Sequence, residues 1–215
     1  EKVWDENKLD MFRRHIIQLG TTGVFVIYDE LEGKEAVTWS YLLHTVELPM
    51  EIQELTDEVK VIGKNKAGGV SVAHLFSSAK TEQAMADTFF CAPTNWKNVT
   101  NAQGKALKYP NHWHFSSTTV PCKTARFLTV MDTHGKNRPD MQVVRKGNTI
   151  QVGDWTITCN LTEKGKAAIY VSNKTEKVSL NYDAGKKEGA TIVTDQVKSK
   201  QVNKVLTDYL PDFEI

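Results

Sequence analysis

The sequence predicts an all-β protein, an antiparallel β-sandwich of two packed sheets with at most one or two short helices. Three observations predict it. Runs rich in β-branched and aromatic residues recur about every eight to twelve residues. Turn signals such as Gly20-Thr21-Thr22-Gly23, Lys146-Gly147-Asn148 and Gly153-Asp154 separate them. No long stretch places apolar residues at helical spacing.

The elements follow in order. Phe12 to Leu19 mixes apolar and polar residues, and Gly20 to Gly23 makes a turn. Val24-Phe25-Val26-Ile27-Tyr28 is then a nearly continuous apolar run. Two such runs around a short Gly-flanked loop read as a hairpin. The polar stretch from Asp29 to Glu35 is expected to end its second strand. Val37 to Val46 is another strand, rich in aromatic and β-branched residues, closed by Pro49. Further strands are expected at Val59 to Ile62, Gly69 to Phe76, His112 to Val120, Arg126 to Asp132, Met141 to Val144, Thr149 to Val152, Trp155 to Cys159, Ala167 to Ser172 and Ala190 to Val193. Gln201 to Leu210 is the one candidate for a short helix. Residues 1–215 read as a single β-sandwich domain. It carries a long irregular insertion at about 79–110 and C-terminal strands and a tail at about 176–215. The insertion bears Phe89, Phe90, Pro93, Trp96 and Tyr109, more aromatic surface than a linker needs.

Composition narrows the function classes. The chain has 215 residues, 40% hydrophobic and 25% charged, with a formal net charge of +1. That balance lacks the global positive field of a nucleic-acid binder. No run of apolar residues is long enough to span a membrane as a helix. The chain opens Glu1-Lys2-Val3-Trp4 without Met, and is therefore expected to be a processed chain or a piece of a longer one. Cys91, Cys122 and Cys159 have neither disulfide-framework nor metal-site spacing and are expected to be buried thiols. Asn98, Asn160 and Asn173 begin N-glycosylation sequons.

A few residues could carry chemistry. His112-Trp113-His114 is the sharpest local feature, because residues i and i+2 of a strand share a face. Trp113 and Phe115 would then face the core. Folding the next strand back about Cys122 would set Asp132 and His134 opposite His114 and His112, a ligand set that suits zinc. Imidazoles that contact sugar, or a merely polar hairpin face, are the competing readings. His44 ends an apolar strand, where a hydrogen-bonded structural histidine is the default. Asp29 is read as a turn carboxylate capping backbone amides. Arg13, Arg14 and His15 form a small basic cluster. A solvated face explains it, and so does a site for anionic sugars, since arginine forks match carboxylate and sulfate geometry. The sequence contains no dinucleotide-binding glycine motif, no P-loop and no nucleophile elbow.

The run from Arg13-Arg14-His15 through Gly20-Thr21-Thr22-Gly23-Val24-Phe25-Val26-Ile27-Tyr28-Asp29 to Val37-Thr38-Trp39-Ser40-Tyr41-Leu42-Leu43-His44 resembles the heparinase II/III-like polysaccharide lyase family. In that family a basic "RR" strand leads into a "VVVxDxL" strand and then a "TWxxLLH" strand. His112-Trp113-His114-Phe115, Arg126 to Val130 and Val152 to Ile157 are similar to later pieces of its Bacteroidetes members. The resemblance covers most of residues 12 to 172.

The resemblance implies a C-terminal antiparallel β-domain joined to an N-terminal (α/α) toroid of the same parent chain. It also implies a parent that cleaves uronate-containing acidic polysaccharides, such as glycosaminoglycans, by β-elimination, in the bacterial periplasm or outside the cell. That reaction needs the uronate carboxylate neutralised, a base for the C5 proton and an acid for the departing oxygen. In the family, Tyr and His of the toroid supply base and acid, and a His of an HxH motif assists. Zinc is held by the second His of that motif, an Asp of an "IDSG"-like turn and a His of an "AHN" segment. None of those motifs is present ahead of the "RR" strand here, and His112-Trp113-His114 lies far downstream of it. No catalytic residue is therefore carried over. No cofactor is expected in this segment, although zinc is possible in the full-length parent. The expected substrate contacts are His44, Arg14, His112, His114 and Trp96, with His112, His114, Asp132 and His134 as weak metal candidates. The alternative is a stand-alone glycan-binding module without catalysis.

Overall fold

In the computed structural model the described residues are 8–87, 100–105, 112–186, 190–193 and 198–201. They form antiparallel sheets, with no helix among them. The chain divides into two compact units, Glu1–Met141 with Leu161–Glu163 and Gln142–Asn160 with Lys164–Ile215.

The strands of the first unit are β1 (Leu9–Gln18), β2 (Val24–Val37), β3 (Ser40–Thr45), β4 (Glu51–Glu54), β5 (Val59–Lys64), β6 (Gly69–Ser77), β7 (Thr81–Ala86), β8 (Trp113–Thr119) and β9 (Cys122–Gly135). Six of them make a sheet in the order β1-β2-β9-β6-β5-β4, and three make a sheet in the order β3-β8-β7. The period of two along each strand sends alternate residues inward. Leu31, Val61, Ala73, Leu75, Ala125 and Phe127 of the larger sheet thus form one buried cluster with Tyr41 and Phe115 of the smaller. The Tyr41 and Phe127 rings sit 5.8 Å apart. Each such large side chain contributes about 1.5–3 kcal/mol by leaving water, so this layer holds the sandwich together.

The second unit is a meander. Its strands are β10 (Val143–Lys146), β11 (Thr149–Val152), β12 (Trp155–Cys159), β13 (Ala168–Asn173), β14 (Val178–Asp183), β15 (Ala190–Val193) and β16 (Lys198–Gln201), each paired with the next. One face is apolar and buried through Ile150, Val152, Trp155, Ile157, Cys159, Ile169, Val171 and Tyr182. Two sequon asparagines have structural work here. Asn173 is buried and its Oδ1 accepts the Glu176 N–H, while Asn160 Nδ2 donates to the carbonyls of Lys164 and Lys166. Asn98, and the candidate helix beyond Gln201, lie outside the described residues.

Several boundaries match expectation, and three differences matter. The β1–β2 hairpin forms around Gly20–Gly23, but β2 does not end at Asp29. It runs on to Val37. The charges do not break it because they are matched across strands: Asp29 lies opposite Arg14, and Glu30 opposite Arg13 and Arg126. Thr81 to Ala86, expected within the irregular insertion, is strand β7, paired along its whole length with β8. Finally, β8 and β9 do not form a hairpin with each other. β8 lies between β3 and β7, and β9 between β2 and β6. The connection passes through Pro121, which has no N–H to donate to a ladder, and there the chain changes sheets.

Gly23 is required by its surroundings. Its φ of +78° is one that L side chains rarely adopt, and a Cβ there would stand 2.6 Å from the Thr133 carbonyl oxygen. Thr133 in turn binds the Gly23 carbonyl through its N–H and its hydroxyl, at 3.0 and 2.8 Å.

Cys159 is a buried free thiol, as expected, whereas Cys122 is free but only partly buried, and Cys91 lies outside the described residues. Burial pushes Cys159 from an ordinary 9.0 up to about 12, so its thiolate, the reactive form, is scarce at neutral pH. The folded state holds this proton more tightly than the unfolded chain. The associated stability is complete below pH 9.0 and is lost as pH rises toward about 12. A disulfide reagent applied at neutral pH should leave Cys159 unlabelled until denaturant is added. Peptide mapping of the labelled site checks this, and rapid labelling of native protein at Cys159 would contradict it.

Candidate functional site

The three-stranded sheet has two faces of different character. Tyr41, Leu43, Trp113, Phe115 and Met85 pack into the core. The alternate residues Ser40, Leu42, His44, His114, Ser116 and Thr118 point the other way. On that outer face the register sets His44 directly opposite His114. Their rings are 5.0 Å apart, centroid to centroid, and nearly perpendicular at 87°. Further along, the Ser40 and Thr118 hydroxyls are 2.9 Å apart in a hydrogen bond. His112, two residues before His114, is exposed. Partial burial lowers the pKa of His114, as does repulsion from His44 and His112 when they are charged, while Asp87 acts in the opposite sense.

A groove of about 700 Å³ opens at the same end of the sandwich, where Thr45 follows His44. Its lining includes Thr45, Glu47, Lys64, Asn65, Ser71 and Thr133. Several of these polar groups hold local turns. Thr45 Oγ1 donates to the Leu48 carbonyl at 2.6 Å. Glu47 accepts the Lys66 N–H at 2.9 Å, and Asn65 Oδ1 accepts the Gly69 N–H at 2.7 Å. The groove escaped the sequence reading, although Gly63-Lys64-Asn65-Lys66 before Gly68-Gly69 is a hairpin-tip signal.

Arg14 does not join the histidines. Its guanidinium grips Asp29 with two bonds of 2.7 Å and lies 5.5 Å from the centroid of the Tyr41 ring. Tyr41 points into the core, whereas His44 faces outward. The hydrogen bonds to Asp29 raise the Arg14 pKa further. Arg13 pairs with Glu30 at 3.3 Å, and His15 stacks on Tyr28. The two arginines of the cluster are paired into the β1–β2 hairpin while their side chains stay exposed, at 42% for Arg13 and 40% for Arg14. Burial, then Arg13, lowers the His15 pKa. Asp29 is not a turn carboxylate but a buried ion-pair partner in mid-strand, 2% exposed. The sequence held the signal for this, since Arg14 and Asp29 stand equally far from the centre of the Gly20–Gly23 turn.

The expected 112–134 ligand set does not assemble, because the register it needed belongs to a hairpin that does not form. Val24 and Val72 lie opposite Asp132, and Val70 opposite His134. Asp132 and His134 do approach each other, at 3.8 Å. Their other contacts are structural. Asp132 binds Arg138 and accepts the Met141 N–H at 2.7 Å. His134 Nε2 lies 3.2 Å from Asp140, which is itself 3.7 Å from Lys60. Among the described residues no group of three or more His, Cys, Asp or Glu side chains is placed to hold a metal ion. Trp96 and Tyr109 lie outside the described residues.

No protein-family model matches the chain, and no curated protein matches it.

Proposed function

We propose that this chain is the β-sandwich part of a heparinase II/III-like polysaccharide lyase, serving as scaffold and glycan-contacting wall rather than as the seat of proton transfer. One observation carries most weight. The residues on which the resemblance rests are packed together: Arg14 on Asp29, Arg14 over Tyr41, and Trp39 Nε1 donating to the Cys122 carbonyl at 3.1 Å. A block whose characteristic side chains brace one another behaves as a mark of fold rather than of catalysis. The substrate class in this reading is a uronate-containing acidic polysaccharide.

A second reading, a glycan-binding module without catalysis, is favoured by the outer histidine face beside the groove. Imidazoles, hydroxyls and Lys64 suit the hydroxyls and carboxylates of a uronate chain.

Incubating the 215-residue chain with heparan sulfate, alginate and other uronate polysaccharides should release no unsaturated uronate, followed by absorbance of the new double bond. Such release would overturn the scaffold reading. Calorimetry against uronate-containing and neutral glycans should show binding of the former, weakened by His44→Ala. No binding to any glycan would remove both the glycan wall and the module.

A further inference from the structure

We propose that His44 and His114 form a cross-strand chelating pair for a first-row transition dication, Cu²⁺, Ni²⁺ or Zn²⁺. Neither histidine was matched with the other in the sequence. The pair comes from the fold.

The geometry is the first support. An imidazole bound to zinc holds its nitrogen at about 2.0–2.1 Å, which puts its ring centroid about 3.2 Å from the ion. Two such rings on one tetrahedral ion therefore have centroids about 5 Å apart. The observed separation is 5.0 Å, so a shared ion requires ring rotation more than backbone movement. The near-perpendicular ring planes are compatible with tetrahedral coordination.

The register is the second support. A slip of one residue between β3 and β8 would turn Tyr41, Leu43 and Phe115 out of the core. Burial of those side chains therefore holds the two imidazoles opposite each other in the metal-free protein. Part of the ordering entropy of chelation is already met by folding.

The third support is position. His44 is exposed, and His114 is partly buried with its Nε2 covered, so an ion from solvent reaches the pair from the His44 side. Two imidazoles with water in the remaining places make an open site, unlike the closed four-ligand sites of structural zinc. Imidazole donors favour Cu²⁺, Ni²⁺ and Zn²⁺ over Mg²⁺ or Ca²⁺, with Cu²⁺ the tightest of the series.

The test is a titration of the whole, tag-free, metal-stripped chain with Cu²⁺ and with Zn²⁺. One equivalent should bind, and the Cu²⁺ electron paramagnetic resonance spectrum should carry coupling to at least two imidazole nitrogens. His44→Ala and His114→Ala should each weaken binding about tenfold or more, the scale reached even by residues that only orient ligands. The His44→Ala/His114→Ala double variant should abolish it. Absence of binding by the wild-type chain would overturn the site, as would wild-type affinity in the double variant. The nitrogen coupling is read on unaltered protein, so it decides the matter even if a variant misfolds. These readouts are independent of glycan binding and of lyase parentage.

Discussion

Phe115→Ala is expected to destabilise the first unit by about 3–5 kcal/mol. Phe115 is fully buried and comes from the middle strand of the three-stranded sheet, facing the larger sheet across the core. Among the described residues the smaller sheet has three strands with which to cover six. Removing the ring therefore opens a cavity between layers, and Leu43, Met85 and Trp113 cannot all close it without shifting β8 from its neighbours on both sides. The loss combines the transfer energy of the ring with the cavity left behind. Urea unfolding should show a lower midpoint with little change in slope. Phe115→Leu should lose much less, because it keeps most of the volume. A loss below about 1 kcal/mol for the alanine variant would mean that the layers are not held by this contact.

Asp132→Ala should destabilise the same unit by about 3 kcal/mol, toward the low end of the range for breaking a buried pair. Asp132 is 0% exposed. Its carboxylate receives the Arg138 guanidinium and the Met141 N–H, and His134 lies within 3.8 Å. Removing it strands a part-buried backbone donor and deprives Arg138 of its counter-charge. Because the Arg138 side chain is 34% exposed, water recovers part of that loss, which is why the low end is expected. Arg138→Ala leaves a buried carboxylate instead, so the double variant should lose less than the sum of the single ones. Additive losses in that cycle would show that the two groups do not act as a pair.

The parts of the fold legible in the sequence are those set by neighbours along the chain. β11, β12 and β15 begin and end where their apolar alternation does, and the β1–β2 hairpin follows its glycines. Thr81–Ala86 was not legible because Glu82, Gln83 and Ala84 carry little intrinsic strand preference. It is a strand because β8 pairs with it. The site was less legible still. His114 was singled out for its spacing to His112, but its actual partner is His44, seventy residues away in the chain. Nothing local specifies that pairing. It follows from β8 joining β3 and β7 after the chain has built most of the larger sheet. The link to Asp132 and His134 is absent for the converse reason: β8 and β9 are consecutive in the chain but belong to different sheets, the change falling at Pro121.

The borders of these sheets carry a consequence for handling the protein. A sheet that ends in solvent offers unpaired backbone groups to any passing chain, and charged side chains along that border discourage such docking. Here β1 bears Asp10, Arg13 and Arg14, β4 bears Glu51 and Glu54, β7 bears Glu82, and β10 bears Arg145 and Lys146, each on a terminal strand of its sheet. Acidic borders lie on β4 and β7 and a basic one on β10, so like borders repel while unlike ones attract weakly. Colloidal stability should therefore depend on ionic strength, with moderate salt screening β10 from β4 and β7 of neighbouring molecules and keeping concentrated solutions clear.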